Sequence, residues 1–100
     1  MGHLKLNQQN MDNLVVTATR SQVSSNLAGE TVILNLDSGV YYGLDAVGAH
    51  IWSLIEGGPK TVGQIKAAIL AEYEVDAARC EQDLAALFQQ LAEHNLIEVA

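Results

Sequence analysis

Two alternating apolar runs split by three turn-forming residues constrain this chain more than any other feature. In Thr31–Val32–Ile33–Leu34–Asn35–Leu36, the residues Val32, Leu34 and Leu36 share one face; Thr31, Ile33 and Asn35 share the other. Asp37–Ser38–Gly39 follows, then Val40–Tyr41–Tyr42–Gly43–Leu44. A three-residue loop ending in glycine suits an antiparallel hairpin whose last loop residue is left-handed. An earlier strand is expected over residues 14–19, with Val15, Thr17 and Thr19 on one face. Residues 20–29 are polar and small and read as a long turn.

After the hairpin the period changes from two to about 3.6. Asp45 is a good N-cap, and Val47, Ile51, Leu54 and Ile55 recur at helical spacing with Trp52 flanking them. Gly57–Gly58–Pro59 ends that helix. Thr61 with Gln64 three residues on forms a capping-box pattern, ahead of the stripe Val62, Ile65, Ile69 and Tyr73. Asp76 caps a third helix over residues 77–94, with the stripe Cys80, Leu84, Leu87, Phe88 and Leu91. Asn95 is placed as a left-handed C-cap, and residues 96–99 as a short closing strand. The expected class is α+β: a three-stranded antiparallel sheet followed by three helices, resembling a winged helix-turn-helix.

The length of 100 residues gives one domain. Residues 1–13 read as a flexible polar segment without the apolar stretch of a signal peptide, and 14–100 as the folded domain. With 49% apolar residues the chain can bury a core, but it has little room for a deep substrate cavity as well. The single cysteine, Cys80, rules out an intramolecular disulfide or a multi-cysteine zinc site and fits the reducing cytoplasm. No apolar run approaches the ~18 residues that span a bilayer.

The net charge of −7 argues against nucleic acid and against anionic membrane surfaces, and Lys5, Arg20, Lys60, Lys66 and Arg79 are scattered. A DNA-binding winged helix is the rival of another class. Its third helix offers Arg79, but also Glu81, Asp83 and Glu93, where bases would need cationic or amide partners.

Catalytic chemistry is not indicated. His3, His50 and His94 have no ligand at metal-binding spacing on a shared helix face, and His94 suits a helix C-terminus through the dipole alone. A helix start lowers the pKa of a thiol such as Cys80. Yet no histidine lies near it in sequence, and it continues the apolar stripe toward Leu84. Glu81 and Asp83 point to different faces. No catalytic residue, metal or cofactor is therefore expected.

The second hairpin strand is different. From Val40 to Leu44 it carries no charge, has two adjacent tyrosines, and contains Gly43. Natural edge strands are usually protected by lysine, proline or a bulge. An unprotected edge with a glycine is suited to receive another backbone. The simpler alternative is a twisted hairpin with one tyrosine in the core and one exposed.

These residues carry a resemblance. Glu30–Thr31–Val32–Ile33–Leu34–Asn35–Leu36–Asp37–Ser38–Gly39–Val40–Tyr41–Tyr42–Gly43–Leu44–Asp45 resembles the hairpin of the PqqD-like family, read there as "vvLnl-sG-yy-LN". Val47–Gly48–Ala49–His50–Ile51–Trp52 is similar to the "vGa-iW" helix start that comes next. Leu70–Ala71–Glu72–Tyr73–Glu74–Val75 resembles the end of the family's second helix. Asp83–Leu84 and Leu87–Phe88–Gln89–Gln90–Leu91 resemble its third helix, and Asn95–Leu96–Ile97 the segment just after that helix. The resemblance spans residues 14–99.

The resemblance implies a recognition element for ribosomally made, post-translationally modified peptides (RiPPs). Such a domain is not a catalyst. It binds the leader segment of a precursor peptide and delivers it to modifying enzymes. The leader adds as a strand to the third β-strand and packs on the third helix. In this chain that maps to Val40, Tyr41, Tyr42, Gly43 and Leu44, and to a helix surface with Arg79, Cys80, Asp83, Leu84 and Leu87. Tyr41, Tyr42, Cys80, Leu84 and Leu87 are the expected groove wall, and the acids Glu81 and Asp83 suit a leader carrying lysine or arginine. Residues 71–80 look most like the stand-alone proteins of lasso peptide biosynthesis, which act beside a leader peptidase and a cyclase. A PqqD-type chaperone in pyrroloquinoline quinone biosynthesis is the alternative.

Overall fold

The hairpin forms, but with a longer loop than the expected three residues: its strands are Glu30–Asn35 and Tyr41–Leu44, so Leu36 and Val40 fall in the connection. A computed structural model describes residues 11–27 and 30–100 of the chain. In it, Gly39 lies in the loop at φ 74°, a conformation glycine adopts without strain. Asn35 secures the loop. Its side-chain oxygen accepts the Asp37 and Ser38 N–H groups at 2.8 and 3.1 Å, and its amide nitrogen donates to the His94 carbonyl at 2.6 Å. Only 5% exposed, Asn35 links the hairpin to the end of the last helix. Asn35→Ala removes all three bonds and leaves the partly buried Asp37 and Ser38 N–H groups and the His94 carbonyl without these partners. It should destabilise the protein by about 2–3 kcal/mol in a urea titration; a loss under about 0.5 kcal/mol contradicts this role.

The elements run β1 (Val15–Ala18), β2 (Gln22–Leu27), β3 (Glu30–Asn35), β4 (Tyr41–Leu44), α1 (Ala46–Glu56), β5 (Lys60–Thr61), α2 (Val62–Glu72), α3 (Ala77–Glu93) and β6 (Ile97–Val99). Strands β2-β3-β4 form a three-stranded antiparallel sheet, which the three helices follow, as the α+β reading expects. The other strands form a second antiparallel sheet in the order β5-β1-β6.

Two strand assignments need correction. Residues 20–29 are not a long turn: β2 occupies most of that stretch, paired with β3 from Gln22↔Asn35 to Leu27↔Glu30. Its Gln-Val-Ser-Ser-Asn-Leu sequence has weak strand character, and pairing with the apolar β3 overrides that local preference. The first strand exists, but it pairs with β5 and β6 rather than with the hairpin.

Nor does the folded domain begin at residue 14. Met11–Asn13 form a 3-10 turn with Met11 fully buried. Lys66 ties this turn to the helices, its Nζ lying 3.0 Å from Asp12 and 3.0 Å from Glu81. These two hydrogen bonds, Asp12's first, hold the Lys66 pKa above its ordinary value. Residues 1–10 of the expected flexible segment lie outside the described residues.

All three predicted N-caps form. Asp45 accepts the Gly48 N–H, Asp76 accepts the Arg79 N–H, and Thr61 and Gln64 close a reciprocal capping box. Helix α3 ends in a Schellman motif around Asn95 at φ 59°. There Leu96 N–H reaches Leu91 O at 2.9 Å and Asn95 N–H reaches Ala92 O at 3.0 Å.

The core joins β1, β3, the helices and β6 through Val16, Ile33, Ile51, Trp52, Ile65, Phe88, Leu91 and Ile97. In α1 the buried stripe runs through Trp52, whereas Leu54 and Val47 are only partly buried. In β3 the buried face is that of Ile33 and Asn35, not that of Val32, Leu34 and Leu36. Among the described residues, no helix is long and apolar enough to cross a membrane.

Candidate functional site

Among the described residues, strand β4 has one paired edge and one free edge. The backbone bond from Asn35 N–H to Val40 O fixes which groups face which way. Antiparallel pairs alternate between bonded and non-bonded. Tyr42 and Leu44 therefore bond to Ile33 and Thr31 across the ladder, while Tyr41 and Gly43 direct their N–H and C=O groups outward. The side chains divide the same way. Leu44 is buried and Tyr42 half-buried on the helix side, while Tyr41, 69% exposed, lies on the opposite face with Gly43.

Beside this free edge lies a groove of about 490 Å³. Tyr42, Gly43 and Leu44 form one wall, and Cys80, Asp83, Leu84 and Leu87 of α3 form the other. The floor and ends come from Asp45, Val47, Gly48 and Ile51 of the α1 start, Ile69 of α2, and Val75 of the α2–α3 connection. Gly48 permits this closure: a Cβ there would lie 3.2 Å from both Leu44 and Asp45 side-chain atoms. By contrast, a Cβ on Gly43 would meet nothing within 4 Å. The Tyr42 hydroxyl hydrogen-bonds Gln90 of α3, and its ring lies 5.6 Å from that of His94. This contact pins Tyr42 against the C-terminal half of α3. Burial holds the Tyr42 hydroxyl pKa above its usual value, so it stays protonated.

The structure thus gathers seven of the ten sequence-predicted residues at one groove: Tyr42, Gly43, Leu44, Cys80, Asp83, Leu84 and Leu87. Three lie outside its lining. Val40 precedes β4 and is half exposed, Tyr41 faces away, and Arg79 stands on the exposed side of α3 with its Nε 3.7 Å from Asp83 Oδ2. Asp45, Val47, Gly48, Ile51, Ile69 and Val75 were not among the predicted residues. They reach the groove only through tertiary packing. Val75 alone left a trace in sequence, as an apolar residue in a short helix connection that remains 43% exposed.

Cys80 is buried, and its thiol pKa is raised by burial first and by the nearby Asp83 carboxylate second, which keeps it protonated and a poor nucleophile. Asp45 and Asp83 are the charged groups in the lining, and no base lines it. A second recess, of about 580 Å³, lies between β2 and α1. It is more polar, and its Ser24 hydroxyl is already paired with Glu56 at 2.6 Å.

Known proteins share this fold. The family model for coenzyme PQQ synthesis protein D (PqqD) matches residues 30–97. A solved structure described as TbiB1 in complex with the TbiA(beta) leader peptide is 44% identical, with a TM-score of 0.76 over 82% of this chain and 94% of that one. Another, described as lasso peptide synthetase B1 complexed with the leader peptide, is 25% identical, with a TM-score of 0.71 over 83% of this chain and 96% of that one. No curated protein sequence matches the chain. The family match covers more than half of the sequence and contains both the hairpin and the third helix that bound the groove, so this chain belongs to the PqqD family.

Proposed function

We propose that this protein is a non-catalytic recognition element that binds the leader segment of a ribosomally made precursor peptide. The bound leader is presented to modifying enzymes, of which a leader peptidase and a cyclase of lasso peptide biosynthesis fit the resemblance best. One observation carries the reading: an uncharged free strand edge lies beside an apolar groove on α3. An extended peptide satisfies both at once. Its backbone bonds to the outward groups of Tyr41 and Gly43, and alternate side chains enter the groove. The peptides named in both solved relatives are leader peptides, and the relative described as lasso peptide synthetase B1 favours the lasso-type partner set over the quinone pathway.

The peptide-binding residues in this reading are Tyr42, Gly43, Leu44, Cys80, Asp83, Leu84 and Leu87. Tyr41 contributes its backbone, Val40 flanks the edge, and Arg79 acts only through Asp83. No step in this role requires a metal or cofactor.

The test is titration of a fluorescently labelled leader peptide into the purified protein, with mass spectrometry of the peptide afterwards. Saturable binding with the peptide left chemically unchanged is expected. Absence of binding, or cleavage by this chain alone, contradicts the reading. Asp83→Lys sharpens the test, because the Asp83 side chain is 71% exposed and the substitution spares the core. It should leave circular dichroism unchanged and weaken a leader with a cation near its anchors by about 1–3 kcal/mol. An unchanged affinity removes Asp83 from the site.

A further inference from the structure

The sheet that ends at β4 has a second open edge. Among the described residues β2 pairs only with β3, so its far side is unpaired. The bond from Leu36 N–H to Ser21 O sets the alternation. Val23 and Ser25 bond to β3, while Gln22, Ser24 and Asn26 direct their N–H and C=O groups outward. From Gln22 to Leu27 the strand has no charge and no proline, the devices that usually blunt an edge. Between this strand and α1 lies the recess of about 580 Å³. Ser24, Asn26 and Thr31 line it from the sheet, and His50, Ser53 and Glu56 from α1.

Two polar atoms mark the same place as incomplete. Buried side-chain polar atoms nearly always have a hydrogen-bond partner. Among the described residues, Gln22 Oε1 and Trp52 Nε1 are buried without one. Gln22 begins β2, and Trp52, 1% exposed, lines the recess. One atom is an acceptor and the other a donor, and a peptide chain carries the complement of both at every residue. Charge adds a preference. Glu56 is the carboxylate in the lining, and no lysine or arginine lines it. Its Oε2 accepts the Ser24 hydroxyl at 2.6 Å, which holds the carboxylate beside the open edge and leaves Oε1 to a cation.

We infer that the β2 edge is a second strand-addition site, whose occupant is an extended polar peptide segment with a lysine or arginine opposite Ser24. The inference goes beyond leader binding at β4 and does not depend on it. A strand added ~4.8 Å from β2 places its residue opposite Ser24 on the recess side, with Cβ atoms about 5 Å apart. From there a lysine or arginine reaches Glu56, and small polar side chains two residues before and after it lie beside Gln22 and Asn26. The leucine wall of the β4 groove has no counterpart here, so the two edges select different chains. A second copy of this protein fits poorly. Symmetric β2–β2 pairing about Ser24 would bring two Glu56 carboxylates together, and like charges placed opposite each other repel.

The experiment uses the full chain, isotope-labelled for NMR. The probe is a capped seven-residue peptide with a central lysine flanked by threonines. The chain has one tryptophan, so the indole N–H signal of Trp52 is unambiguous. It should shift saturably as the peptide is added. The Gln22, Ser24 and Asn26 amides should exchange at least ~5-fold more slowly, with Tyr41 and Gly43 unchanged. A central glutamate in place of the lysine should weaken the peptide at least ~10-fold. Glu56→Lys, at an exposed position, should reverse that preference. Should it fail to fold, Glu56→Gln should erase the preference. Absence of a saturable shift, or slowing at Tyr41 and Gly43 in place of the β2 amides, overturns the inference. So does a lysine preference that persists in either folded variant. Sedimentation showing a dimer whose β2 amides are protected without peptide overturns it too, since a second copy then holds the edge. A protein that binds the lysine peptide but no leader overturns the leader-binding reading alone.

Discussion

Gly43→Pro should weaken leader binding by about two orders of magnitude while the free protein stays folded. The Gly43 N–H faces the free edge of β4, so the proline removes no bond to β3. Proline is tolerated on an edge strand when its N–H side faces solvent, and Tyr42 before it is already extended, as that position requires. The ring has space, because a Cβ at Gly43 meets nothing within 4 Å. An incoming strand loses a donor and meets the ring where its own backbone would lie. A roughly 100-fold loss, about 2.7 kcal/mol, is expected from a leader titration. Wild-type affinity in a folded Gly43→Pro protein moves the binding edge elsewhere.

Leu87→Asp is expected to be nearly as damaging, for a different reason. Leu87 lines the groove and is only half-buried in the free protein, whereas Leu84 beside it is 2% exposed. An aspartate at 84 would bury a charge in the core. At 87 it keeps partial contact with water until the leader covers it. Binding then forfeits the apolar contact, worth ~1.5–3 kcal/mol for a full leucine, and must also desolvate the carboxylate. Leader affinity should fall by roughly 2–4 kcal/mol, while the thermal midpoint shifts far less than in Leu84→Asp. Equal stability losses in the two variants, with leader affinity intact, contradict the assignment of Leu87 to the groove.

Local chemistry made much of this fold legible. Asp45, Thr61 and Asp76 announce helix starts, because each side chain satisfies a backbone N–H that would otherwise lack a partner. Gly39 and Asn95 mark two of the turns that take a positive φ, and Gly58 a third. Strand partnership was less legible, because alternation places a strand but does not name its neighbour. β1 finds its partners at Lys60–Thr61 and Ile97–Val99, far along the chain, and β2 is a strand chiefly because β3 needs one beside it.

The site divides along the same line. The walls, β4 and α3, each show a sequence pattern: an uncharged strand with Gly43, and a stripe that begins early at Cys80. The floor, from Val47 to Ile51 and Ile69, looks like ordinary helix core until the helices are assembled. Tyr41 and Tyr42 could be told apart only by register. The single bond from Asn35 to Val40 sets the alternation that turns Tyr42 inward and Tyr41 outward.

The central claim is strand addition at β4, and amide hydrogen exchange followed by NMR tests it most directly. Without leader, the Tyr41 and Gly43 amides face solvent and should exchange rapidly, while Tyr42 and Leu44 are protected by β3. Adding the leader peptide should slow Tyr41 and Gly43 by at least ~10-fold. It should leave the outward amides of Gln22, Ser24 and Asn26 on the opposite edge unchanged. Protection at the β2 edge, or leader binding without protection at Tyr41 and Gly43, would contradict the account.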